Sequence, residues 1–157
     1  MKYSLLQRYS PFSMLRAWVR LILLFALTGC AIPAALEGGP FDTSTPDQIA
    51  EQETASARVR WGGELIETTR KEKETCFKVR AYGLDRYARP WKMGGNNGQF
   101  MACIAGFYDP AVYEPGRMLT VVGSVIGAEM RNVRVAAESV YLWPGWRGRW
   151  QHDSGDC

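Results

Sequence analysis

The chain has 157 residues, 46% of them hydrophobic and 22% charged, with 19 Lys+Arg against 16 Asp+Glu, four cysteines and one histidine. That arithmetic suits one domain with a real core and excludes a wholly disordered chain. One histidine and no Cys-x-x-Cys spacing leave little material for a metal centre or a His-based triad, so neither a metal nor a catalytic residue is expected.

The first segment is an export signal. Residues 1–29 hold Lys2, Arg8, Arg16 and Arg20 and no acidic residue, and the apolar run Leu21 to Leu27 leads into Thr28-Gly29-Cys30. A basic region, a short apolar region and small residues before a cut define a secretory signal. The run is far shorter than the roughly 20 residues of a spanning helix. Met1 and Met14 are both compatible starts.

Leu27, Thr28 and Gly29 ahead of Cys30 resemble a bacterial lipobox. The resemblance implies diacylglycerol on the Cys30 sulfur, cleavage after Gly29 and N-acylation of the new terminus. Those acyl groups are the only expected cofactors. The expected partners are the lipid bilayer and the lipoprotein export and sorting machinery. Ala31, where Asp would favour inner-membrane retention, points to the outer membrane. Removing the four basic residues of the signal leaves 15 basic against 16 acidic side chains, so no nucleic-acid partner is expected.

Residues 30–57 read as a lipidated, flexible tether. Ala31 to Ala57 holds three of the eight prolines, a Gly-Gly pair and many small polar and acidic residues. Inside it, Thr45-Pro46-Asp47-Gln48 has capping-box spacing with proline at the first helical position, which predicts a helical turn through about Gln52.

From Arg58 the pattern becomes period two. Val59, Trp61 and Leu65 share one face of a first strand, with Gly62-Gly63 suggesting a bulge or bend. Arg70 to Lys73 reads as a solvated hairpin turn. The return strand, Thr75 to Tyr82, puts Phe77, Val79 and Ala81 on one side. Leu84 to Gly98 reads as a loop, and Gln99 to Gly106 as a third strand with Phe100, Ala102 and Ile104 on one face. Asp109-Pro110 starts a short helical turn through Tyr113. Met118 to Ala128 and Val133 to Trp143 complete the set, with bends at Gly123 and Gly127. The expected fold is all-β: a small antiparallel barrel of five to seven strands, OB-like in the order of its elements, over residues 58–144. Residues 145–157 form a Trp- and Arg-containing tail.

Taken together, the Cys30 motif, Val59 to Gly63, Thr75 to Leu84, Gly98 to Ala102, Gly106 to Pro110, Tyr113 to Arg117, Thr120 to Gly123 and Tyr141 to Pro144 resemble the Slp family of outer-membrane lipoproteins. The resemblance implies a lipid-anchored protein on the periplasmic face of the cell outer membrane. It also implies an association with starvation or stationary phase, and no established activity. Gly83 stands where the family usually has proline, and Met130 to Val135 is shorter than the family's glycine-rich hairpin. Cys76 and Cys103 fall outside the family pattern.

For Cys76 and Cys103, each opposite the apolar face of its strand, two readings stand: a cross-strand bridge or two independent thiols. Cys157 pairs between molecules or stays free. His152, with Asp153 and Ser154 as mere sequence neighbours, makes a poor triad, and Asp109 with Glu114 is better explained by a helix cap than by acid–base chemistry. The expected role is therefore a structural or stress-associated envelope component. The alternative is a periplasmic OB-like module for an oligosaccharide or peptidoglycan fragment. Trp91, Trp146, Arg147, Arg149 and Trp150 are the candidate contacts to a ligand or to the membrane, and an envelope protein or glycan partner is left open.

Overall fold

The structure is a computed structural model that describes residues 32–52, 56–129 and 132–145. The alternating runs form five strands: β1 (Arg58–Arg70), β2 (Glu74–Leu84), β3 (Pro90–Ala105), β4 (Met118–Glu129) and β5 (Asn132–Leu142). A 3-10 turn, Ala34–Leu36, and a helix α1, Pro46–Gln52, precede them. The strands close into a barrel in the order β1-β2-β3-β5-β4, so the small all-β barrel with OB-like order is what forms.

The expectation of a fully antiparallel barrel is corrected at one seam. A closed ring of five strands cannot alternate direction throughout, so one pair must run parallel. That pair is β3 and β5, with Phe100 opposite Val133 and Cys103 opposite Ala136. The apolar face of every strand turns inward and the barrel fills with Val59, Trp61, Leu65, Phe77, Val79 and Phe100 among others. The Trp61 and Phe100 rings lie 5.4 Å apart at their centroids. Tyr108 and Tyr113, from the β3–β4 connection, pack on Phe77 at 5.6 and 5.1 Å. In that connection Asp109 Oδ1 accepts the Ala111 N–H at 2.9 Å, and the Asp109 carbonyl accepts from Tyr113. The result is one hydrogen-bonded turn rather than a helix.

Two local expectations shift. Gly62 and Gly63 stay in register with both neighbours, Gly62 opposite Tyr82 and Thr120, and Gly63 opposite Ala81 and Leu119. The irregularity falls later, between Leu65 and Glu67. The glycines answer to close approach instead: a Cβ on Gly62 would meet Thr120 and Pro90, and one on Gly63 would collide with the Arg80 carbonyl. β3 also starts at Pro90, within the segment expected to be loop, because Gly83 pairs with Trp91 and Leu84 with Pro90. Residues 91–96 are exposed on both faces, so no alternation marks them as strand.

The largest correction concerns the tether. Residues 32–52 are part of the domain. Ile49 of α1 belongs to the barrel core and is 1% exposed. Leu36 is fully buried in a second cluster, on the outside of the barrel wall, with Ala88, Val122 and Trp143. The capping box that starts α1 is reciprocal: Gln48 N–H donates to Thr45 Oγ1 at 3.3 Å and Thr45 N–H to Gln48 Oε1 at 2.8 Å. Small polar composition misled here because few apolar residues suffice to dock a short segment on a wall already built.

Candidate functional site

The charged and aromatic clusters considered as a candidate site lie on the outer wall of the barrel. β1 turns Arg58 and Arg60 outward, opposite in parity to Val59 and Trp61. Arg60 Nη1 donates to the Leu36 carbonyl at 3.1 Å, and Arg58 donates to the Gly38 carbonyl and pairs with Glu138 at 2.7 Å. Both guanidiniums lie over the Phe41 ring, at 5.3 and 4.9 Å from its centroid. Glu138 holds the Arg58 proton more firmly than usual, and its own carboxyl titrates below the ordinary range for the same hydrogen bond. Asp42 N–H continues the contact by donating to the Arg58 carbonyl, and Trp61 Nε1 donates to the Ser44 carbonyl at 2.9 Å. The N-terminal segment is thus strapped along β1.

Next to this strap, the β2–β3 loop folds over Gly62. Thr120 Oγ1 donates to the Ala88 carbonyl at 2.8 Å and accepts Trp143 Nε1–H at 2.9 Å. Trp143 therefore seals the outer cluster of Leu36, Ala88 and Val122. Beside it opens a recess of about 660 Å³ lined by Arg89, Lys92, Arg117, Glu114, Met118 and Pro144 among others. Arg117 donates to the carbonyls of Val112 and Trp143, while its buried Nε finds no hydrogen-bond partner among the described residues. Lys92 and Tyr82 both reach Glu64, at 3.0 and 3.1 Å, and Arg80 stands 4.0 Å away. The Lys92 hydrogen bond is the main reason the Glu64 carboxyl titrates below its usual range, against a smaller opposing effect of burial.

Of the residues singled out in the sequence, Cys76 and Cys103 stand opposite one another on β2 and β3 and form a disulfide, with Cα atoms 4.0 Å apart. It lies on the outer face, and Glu74 comes close enough that its carboxylate and the two sulfurs form a compact group. With both sulfurs bonded to each other, that group offers no thiolate to a metal. Trp91 projects from β3 and is 56% exposed. Leu27, Thr28, Gly29, Cys30, Trp146, Arg147, Arg149, Trp150, His152 and Cys157 lie outside the described residues. The strap and the basic recess escaped the reading of the sequence. Arg58, Arg60, Arg89 and Arg117 look like ordinary surface charges until the fold brings Phe41, Leu36 and Trp143 to them.

A five-stranded OB-like barrel with its N-terminal segment strapped to its wall defines the class of protein. The outer membrane lipoprotein Slp family model matches residues 27–152. The chain belongs to that family, and is an outer-membrane lipoprotein. A search of curated proteins returned no match.

Proposed function

We propose that the mature protein, residues 30–157, is held by acyl chains on Cys30 at the periplasmic face of the outer membrane. There it serves as a non-catalytic structural component of the envelope under starvation or stress. The observation that carries this reading is the motif Leu27-Thr28-Gly29-Cys30 at the start of a family match that itself begins at Leu27. At roughly 0.8 kcal/mol per buried CH₂ a single chain anchors only reversibly, and three chains bury about three times as many such groups. The Asp109 carboxylate is engaged in capping its own turn, which favours a structural role for it. Fractionation with acyl labelling tests the anchor: Cys30→Ala should lose the label and the mature-sized band from washed membranes. If that variant stays there, mature and unlabelled, the anchor reading fails.

A second reading, a glycan-binding module, draws support from exposed Trp91 on an OB-like barrel, a fold whose outer faces commonly bind oligomers. Titrating the protein with cell-wall fragments while following tryptophan fluorescence separates the two. A saturable shift favours binding, and none favours the structural role.

A further inference from the structure

The anchor reading has a geometric consequence once the N-terminal segment is known to be folded. Only Ala31 separates Cys30 from Ile32, and Ile32 packs against the outer cluster of Leu36, Ala88, Val122 and Trp143. Two residues of extended chain reach about 7 Å at most. A domain joined so closely to buried acyl chains cannot stand off the bilayer, and the surface around that cluster is brought to the headgroups. That surface carries the recess of Arg89, Lys92 and Arg117, whose wall shares Met118 with the same cluster and continues from Trp143 into Pro144.

The charges there run against the average of the molecule. The mature chain has 15 basic and 16 acidic residues, yet the recess sets three cations against Glu114. The nearby Glu64 is shared between Lys92 and Arg80. Arg89 also lies over the Trp143 ring, 5.8 Å from its centroid, which holds one cation at the lip. Such charges are attracted to an anionic surface over a Debye length of about 8–10 Å, beyond which salt largely screens them.

We infer that this side of the barrel lies against the headgroup layer and that the recess takes the phosphate of an anionic lipid. The inference rests on the lipid anchor at Cys30.

Four lysines follow the signal: Lys71, Lys73, Lys78 and Lys92. The full-length lipidated protein is reconstituted into phosphatidylcholine vesicles with or without phosphatidylglycerol, and lysine methylation is read residue by residue. Lys92 should be protected about threefold or more relative to Lys71 and Lys73 in the phosphatidylglycerol vesicles, and less without that lipid. Arg89→Glu should abolish the protection, Arg89→Gln should weaken it, and both should leave the labelling pattern in detergent unchanged. Inorganic phosphate added in detergent should not reproduce it. Equal labelling of the lysines, protection already complete in detergent, protection by free phosphate or indifference to phosphatidylglycerol overturns the inference. Mass spectrometry of the same sample separates the two levels. An acylated chain with unprotected Lys92 defeats this inference alone, and an unacylated chain defeats the anchor with it.

Discussion

Arg60 reaches back 24 residues to donate to the carbonyl oxygen of Leu36, at 3.1 Å, while the Leu36 side chain is buried in the cluster on the outer wall. The bond joins the middle of β1 to a segment whose composition is that of a linker. It makes residues 32–42 an external layer of the fold rather than a free linker.

If that layer is integral, Leu36→Ala should destabilise the whole domain, by about 2–4 kcal/mol as for other large-to-small changes in a packed site. A urea titration followed by circular dichroism measures it. A change below about 0.5 kcal/mol would mean that the segment is only loosely attached.

The capping box makes a smaller claim about the same region. Thr45→Ala removes the acceptor for the Gln48 N–H and should cost about 1 kcal/mol. Hydrogen exchange should show faster opening of the amides at the start of α1, with the barrel strands keeping their protection at matched stability.

The Cys76–Cys103 disulfide closes a loop with a sequence separation of 27 residues. Chain entropy alone then gives about 3.5 kcal/mol to the oxidised protein. Replacing both cysteines by alanine, or reducing the bond, should lower the urea midpoint accordingly. Peptide mapping without reductant should recover the two half-cystines in one linked pair.

Acid should weaken the fold partly through Glu64. Its carboxyl titrates below the unfolded value because Lys92, then Tyr82, donate to the ionised form. A lowered folded value means stabilisation that is complete above the unfolded pKa of about 4.3 and lost as pH falls through the folded one. Glu64→Gln should flatten this part of the pH–stability curve, with a loss near neutrality of about 1 kcal/mol or less for so solvated a network. Unfolding midpoints of both proteins at neutral pH and below pH 4 test the sign: converging stabilities are expected, and a gap that widens in acid would refute it.

Most of the barrel was legible along the chain because period-two alternation directly reports which side of a strand meets a core. Val59, Leu65, Phe77 and Phe100 each stood on the face that the structure buries. Pairing was less legible. Residues 91–96 bury neither face, so their membership of β3 leaves no hydrophobic trace; Trp91 pairs with Gly83 and Asn96 with Tyr82 across a break in register. The parallel seam between β3 and β5 is likewise a property of closing the ring, not of any strand.

The linear order of residues determined the Leu27-Thr28-Gly29-Cys30 motif, the capping box and the faces of the strands, since each depends on neighbours along the chain. Only the tertiary structure decided that the proline-containing segment over residues 32–52 is folded onto the barrel. It also decided that Trp143 covers an outer wall, and that Arg89, Lys92 and Arg117 share one recess. Those outcomes depend on groups tens of residues apart meeting across a closed surface. Composition, which sums residues without regard to where they meet, contains no term for that.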